Sequence, residues 1–288
     1  MARTWQIRDV THPLPAGGGI MGILNVTPDS FSDGGLHLGV EHAVEHARQL
    51  VADGAGIIDI GGESTRPGAQ PVPVEEELRR TAPVVAALRA ALPGILLSID
   101  TRRAAVAQAA LEAGADIVND ITGLADAEMR RLCAEHACGV VLMHMQGEPS
   151  TMQHAPHYTD VVAEVREFFE QRVRLAEQAG IAPGRICLDP GIGFGKTTQH
   201  NLALISHLEE LRVRDLPILM ALSRKRFMGA LLGDPALPLT SPLPTVVMSL
   251  LAADHGADLH RVHEPRPLSQ ALLLRHATAQ SCRTTSRS

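Results

Sequence analysis

Lysine is nearly absent from this chain. Lys196 and Lys225 are the only two among 26 cationic residues, so the other 24 are arginine. Aromatics are as scarce, five Phe with one Trp and one Tyr. With a net charge of −6 and no basic stripe, the chain lacks the stacking platforms and phosphate-neutralising surface of a nucleic-acid binder. The four cysteines, Cys133, Cys138, Cys187 and Cys282, include no C-x-x-C pair and stand in separate apolar contexts. That argues against a disulfide framework or a thiolate zinc site and predicts reduced thiols. No apolar run reaches the length of a membrane span, and no charged segment followed by an unbroken apolar stretch opens the chain. A soluble, cytoplasmic protein is expected.

Apolar residues make up 45% of the 288 residues, enough for a full core. Runs that read as strands recur at 20–24, 57–60, 95–99, 116–119, 139–144, 185–189, 217–222 and 257–262. Between them lie stretches with helical period, among them 39–53, 75–91, 102–113, 160–179 and 266–279. Asp53-Gly54-Ala55, Ala113-Gly114-Ala115 and His255-Gly256-Ala257 each precede an apolar run, the punctuation of a helix turning back into a sheet. Repeated strand–helix units without a linker predict an α/β fold, a single (β/α)8 TIM barrel over 1–280. Thr4–Val10 is expected as a short extra strand, and 281–288 as a disordered polar tail.

The strand ends share a chemistry. Strand one stops at Asn25, before a Pro- and Gly-rich polar segment that runs to Gly35, and strand two leads into Gly61-Gly-Glu-Ser-Thr-Arg-Pro-Gly68. The others end at Asp100, Asn119-Asp120, Met143-His144, Asp189-Pro190, Ser223-Arg224-Lys225 and Arg261-Val262-His263. In a barrel these points converge on one pocket. Asp or Asn in such places also caps helices, so any one of them alone is weak evidence. Asp100, Asn119, Asp189 and Lys225 together mix acceptors with one strong donor, which suits a flat heterocycle edged with amino, imino and carbonyl groups. Arg66, Arg261 and His263 suit a phosphate or diphosphate. Asn25 offers a neutral oxygen to a magnesium ion that keeps most of its waters.

Two near-matches are set aside. Pro190-Gly-Ile-Gly-Phe-Gly-Lys196-Thr197 approaches a phosphate-binding P-loop, but Pro190 stands where that motif needs glycine. His144, His154 and His157 lack the carboxylates a barrel metal centre would add.

The segments Asn25-Val-Thr-Pro-Asp-Ser-Phe-Ser-Asp33, Gly61–Gly68, Asp189-Pro-Gly-Ile-Gly-Phe-Gly-Lys196, Ser223-Arg-Lys225 and Arg261-Val-His263 resemble the dihydropteroate synthases, in order and over nearly the whole chain. The resemblance implies condensation of 6-hydroxymethyl-7,8-dihydropterin diphosphate with p-aminobenzoate to 7,8-dihydropteroate, with Mg2+ as cofactor and a homodimeric assembly. It implies that Asp100, Asn119, Met143, Asp189 and Lys225 hold the pterin, and that Asn25, Arg66, Arg261 and His263 hold the diphosphate, with Asn25 on the metal. Phe31, Thr65, Arg66, Pro67, Phe194 and Ser223 would bind p-aminobenzoate, and Lys225, Asp100 and Arg66 form the expected catalytic set. The chain departs from the family at its Pro-rich 237–245, at Glu264 and at Ala221. Rival readings are a methyltetrahydrofolate-dependent corrinoid methyltransferase, which has no use for a diphosphate cluster, and a non-catalytic pterin-binding barrel, which would have lost a motif residue.

Overall fold

All eight apolar runs become parallel strands of one sheet, preceded by a small antiparallel pair. In the computed structural model β1 (Thr4–Ile7) and β2 (Val10–Pro13) form that pair. The sheet follows with β3 (Gly19–Asn25), β4 (Ile57–Gly61), β5 (Leu96–Asp100), β6 (Ile117–Asp120), β7 (Gly139–Met143), β8 (Ile186–Asp189), β9 (Leu219–Met220) and β10 (Leu259–Val262). Its order is β8-β7-β6-β5-β4-β3-β10-β9, and a parallel bridge between Leu188 and Ile218 closes it into a barrel. The structure describes residues 3–15, 18–26, 35–63, 72–148 and 151–285, so the expectations for Phe31, Thr65, Arg66 and Pro67 lie outside the described residues.

Helices cover the barrel: α1 (Gly35–Ala52), α2 (Val74–Ala91), α3 (Ala104–Glu112), α4 (Ala127–Glu135), α5 (Val161–Gln178), α6 (Thr198–Ser206), α7 (Arg226–Leu232), α8 (Leu237–Thr240), α9 (Leu243–Asp254) and α10 (Pro265–Thr285). Their starts follow local chemistry. Asp126 accepts from Glu128 N, and Asp160 from both Val162 N and Ala163 N, which satisfies helix N–H groups for about 1 kcal/mol each. The prolines of 237–245 open helices: Pro242 is the residue before α9, and Pro244 sits in its first turn, where no N–H is needed.

The expected extra strand is present as β1; Arg8 at φ +53 reverses the chain after Ile7, so that Val10 already opens the second strand of a hairpin. Residues 281–285 continue α10 instead of starting the tail, there being no Gly or Pro between Pro267 and Thr285 to stop the helix.

Because alternate residues of a strand face opposite sides, each strand lends the lumen every second side chain. At the lower end these are Met21, Ile57, Leu96, Ile117, Val141, Cys187, Leu219 and Leu259, packed together with Trp5 and Ile7 of the hairpin. The hairpin thus plugs that end, held by Trp5 Nε1 donating to the Arg185 carbonyl at 2.8 Å. A larger apolar shell lies between the strands and the helices. The seam at β9 is thin, and Asp258 reinforces it. Its carboxylate accepts from Ile218 N at 2.9 Å, Arg212 Nη1 at 2.8 Å and Arg3 Nη1 at 3.1 Å.

Candidate functional site

Two to four residues farther along each strand, the same inward face turns polar: Asn25, Asp59, Asp100, Asn119, Asp189, Ser223, Arg261 and His263, with Met143 among them. The register puts Asn25, Gly61, Asp100 and Asn119 at one level on four adjacent strands, and Met143 beside Asp189 on the next pair. Neither Asp100 nor Asn119 caps a helix. The neighbouring Asp120 takes the local turn, accepting from Thr122 N at 2.8 Å and Leu124 N at 3.2 Å.

Asp59, a residue that strand-end reasoning passed over, organises one half of the site. It is fully buried, and its Oδ2 accepts from Arg261 Nε at 2.6 Å and Asn119 Nδ2 at 3.1 Å. Arg261 Nη2 donates to Asp100 Oδ2 at 2.6 Å. Arg261, expected on the diphosphate, therefore spends two of its donors bridging the carboxylates of β4 and β5. Burial pushes Asp100 up to about 7, and the nearby Asp59, Glu77 and Asp120 charges add to this against the pull of Arg261. Arg261 is itself held above its usual range, because Asp59 and Asp100 outweigh its desolvation. Asp59 Oδ1 is buried with no partner among the described residues, leaving one acceptor open. The signal in the sequence was a lone carboxylate inside the apolar run Ile57-Ile58-Asp59-Ile60.

The other half centres on Asp189 and Lys225. Asp189 is 2% exposed, and its Oδ1 accepts from Gly191 N at 2.7 Å. Burial raises its pKa, while the Gly191 bond and the Lys225, Arg261 and Lys196 charges pull it back. Lys225 Nζ lies 4.4 Å from the centroid of the Phe194 ring, a cation–π contact. Burial lowers Lys225 to about 8, with Arg261 adding to the shift and Asp189 and Asp100 opposing it. Asn119 and Met143, both 4% exposed, complete the floor.

At the rim, Ser223 Oγ is 2.9 Å from His263 Nδ1 and accepts from His263 N at 3.3 Å, so the ends of β9 and β10 are tied together. Arg224, at φ +60, donates to Glu264 at 2.9 Å, which gives the unusual Glu264 a partner. The neck of segment 64–71 is clasped as well: Arg103 Nη2 donates to Glu63 Oε1 at 3.1 Å and to the Val72 carbonyl at 2.6 Å, and Arg103 also pairs with buried Glu77. Among the described residues no three His, Cys, Asp or Glu side chains gather as a metal site. Asn25, exposed at the end of β3, offers a single neutral oxygen, a donor compatible with a magnesium ion that takes its other ligands from water and diphosphate.

The arrangement can bind a flat, polar ring between acceptors and one ammonium at the floor, with cationic donors above it. The pterin-binding enzyme family matches residues 21–263. The dihydropteroate synthase of Escherichia coli strain K12 is 45% identical over 271 residues, 94% of this chain and 93% of that protein. The solved dihydropteroate synthase of Xanthomonas albilineans with 4-aminobenzoic acid superposes with a TM-score of 0.88 at 45% identity, covering 97% of this chain and 99% of that one. The same enzyme in complex with 7,8-dihydropteroate gives a TM-score of 0.81 at 45% identity over 91% and 94% of the two chains.

Proposed function

The chain belongs to the dihydropteroate synthase family of pterin-binding enzymes, and from its site we infer that it condenses 6-hydroxymethyl-7,8-dihydropterin diphosphate with p-aminobenzoate. The products are 7,8-dihydropteroate and diphosphate, in folate biosynthesis. The observation that carries this reading is the inward ring of Asp59, Arg261, Asp100, Asn119, Asp189 and Lys225 in one barrel mouth.

The chemistry needs no protein nucleophile. The bond between the pterin methylene carbon and the diphosphate oxygen breaks, the dihydropterin ring delocalises the cation, and the amine of p-aminobenzoate forms the new C–N bond and then loses a proton. Asp189 accepts the paired N–H donors of the pterin's guanidine-like edge, and Asn119 and Lys225 meet its remaining polar atoms. Asp100, fixed by Arg261, completes the floor. His263 and the free donors of Arg261, with Arg66, meet the diphosphate, while Phe194 and Ser223, with Phe31, Thr65 and Pro67, line the place of p-aminobenzoate. Magnesium, when bound at Asn25, would supply charge neutralisation of the leaving diphosphate. The residues around the pocket orient both partners and keep water from the cation.

A homodimer is supported by a run of exposed apolar side chains, Leu231, Leu232, Leu239, Leu243, Val247 and Leu251, on α7, α8 and α9. No helix among the described residues is long and apolar enough to cross a membrane, which accords with a cytoplasmic location. The methyltransferase and non-catalytic alternatives lose ground, since the relatives just described share nearly the full length of the chain and the motif residues are all present. The test is diphosphate release by the purified chain. Release that requires both pterin diphosphate and p-aminobenzoate is expected, and release with neither dependence, or none at all, refutes the reading.

A further inference from the structure

Lys196 is one of the chain's two lysines, and the reaction above gives it no task. Its side chain is buried, at 3% exposure. Nζ lies 2.9 Å from His144 Nδ1, 3.0 Å from the Phe194 carbonyl, 3.1 Å from the Gly191 carbonyl and 3.4 Å from the His144 carbonyl. Four acceptors therefore surround one compact amine, which has three N–H donors when charged; burial lowers it to about 7, with the Lys225 charge adding to the shift and Asp189 opposing it. The imidazole plays the acceptor, because burial first and the Lys196 charge second hold His144 down to about 2 and keep it neutral. A guanidinium spreads its donors over a rigid plane and matches no such single-point cage. Lysine in an otherwise arginine-writing chain is thereby explained at this position.

The cage ties two loops. Two of its carbonyls belong to the turn after β8, and His144 opens the loop after β7. The loops meet backbone to backbone: a Cβ on Gly191 would stand 1.9 Å from the His144 carbonyl oxygen, and one on Gly195 would stand 2.4 Å from that of Gln146. From outside, Tyr158 donates its hydroxyl to the Gly195 carbonyl at 3.0 Å. Inside, the same turn carries Phe194 under the Lys225 ammonium, and a Cβ on Gly193 would stand 3.3 Å from Lys225 Cδ. Without Lys196, three carbonyls and an imidazole nitrogen would face one another with no donor between them, and the turn would have to move away from His144.

We propose that Lys196 is a positioning residue for the aryl-amine side of the pocket: it pins the 190–196 turn to His144 and, through Phe194, sets where Lys225 and p-aminobenzoate meet. The inference rests on the reading of Phe194 and Lys225 as pocket walls for p-aminobenzoate. It separates the two substrates by degree, because Asp100, Asn119, Met143 and Asp189 are carried by β5 to β8, and of the groups that face the pterin only the side chain of Lys225 rests on the turn, through Phe194.

The experiment is steady-state kinetics on Lys196→Met, which keeps the length of the stem and removes charge and donors. KM for p-aminobenzoate is expected to rise by about tenfold or more, the scale of a small misplacement of reacting groups. KM for pterin diphosphate should stay within about threefold of the unmodified chain, the pattern of one lost set of contacts and not of general damage. In a Phe194→Ala background the same substitution should add less than about threefold, because residues acting through one another are not additive. Equal losses for both substrates, or full additivity with Phe194→Ala, overturn the proposal. Should Lys196→Met not fold, His144→Leu carries the test: a selective rise in KM for p-aminobenzoate supports the proposal, and an unchanged KM overturns it. An unmodified chain that forms no dihydropteroate overturns the functional reading and this inference together, whereas an active chain with indifferent variants overturns the inference alone.

Discussion

Arg261 and Asp59, 202 residues apart in sequence, are joined by a 2.6 Å bond from Nε to Oδ2 beneath the mouth of the barrel. The same guanidinium holds Asp100 on the next strand, so one cation serves two buried carboxylates. Removing it leaves both without a counter-charge, a change that costs ~3–5 kcal/mol in buried pairs. Arg261→Met is expected to lower the melting temperature by roughly 6–10 °C, at about 2 °C per kcal/mol for a chain of this size. Adding Asp59→Asn should recover part of the loss, because one bare charge is gone. Scanning calorimetry on the single and double variants decides it, and a double variant less stable than Arg261→Met would refute the account.

Asp189→Asn should leave the fold intact and nearly abolish turnover. The amide oxygen can still accept from Gly191 N, but the second position now presents a donor to a donor. Charge-assisted bonds of this kind are worth about 1.5–3 kcal/mol each. Calorimetric titration with a pterin should show affinity down by two or more orders of magnitude, on the order expected for two such bonds. Undiminished binding would mean that another carboxylate reads the pterin edge.

Acid and base limbs of pterin binding follow from two buried groups with opposite shifts. Asp100, raised to about 7 mainly by burial, loses its proton and becomes an acceptor as pH climbs past that value. Lys225, lowered to about 8 mainly by burial, loses charge and a donor as pH climbs further. Affinity in the free enzyme should therefore be greatest between these values and decline on both sides. Lys225→Met should remove the alkaline limb while leaving the acid one. For stability the Asp100 sign is the reverse of the usual carboxylate. Its folded pKa lies above the ordinary carboxylate value of 3.8, so its contribution is full below that value and is lost as pH rises through about 7.

Magnesium should matter to the leaving group and not to the fold. Asn25 supplies one neutral oxygen and no carboxylate, too little to hold the ion without diphosphate. Chelation is expected to stop dihydropteroate formation and to leave the melting curve of the ligand-free protein unmoved. A large fall in the ligand-free melting temperature would indicate a structural metal.

The barrel was legible because its eight strands are short apolar runs between Gly-ended helices, and the rim because polar residues interrupt those runs at one end. Asp100, Asn119, Asp189 and Lys225 were singled out that way, and they lie together in the barrel mouth. Asp59 was missed because it lies inside a run, two positions before Gly61, where a hydropathy reading sees only a strand. The bridging of Asp59 and Asp100 by Arg261 depends on β10 pairing with β3, a long-range register no local pattern reveals. Lys196 was visible as an oddity of composition, but two of its four partners, both on His144, belong to another loop. The second strand of the hairpin and the end of α10 were not foreseen for a simpler reason: a single left-handed residue and the absence of a stop signal are weak marks in a sequence.

The plug at the lower end carries a consequence for how the chain is made. Residues 3–14 leave the ribosome before any strand of the barrel exists, yet Trp5 needs the Arg185 carbonyl and Arg3 needs Asp258. Those partners are synthesised 180 and 255 residues later. Until then Trp5 and Ile7 have no lumen to fill and remain an exposed apolar pair on a nascent chain, open to chaperones or to a neighbouring ribosome's product. A segment that emerges before the whole barrel is thus among the last to be placed.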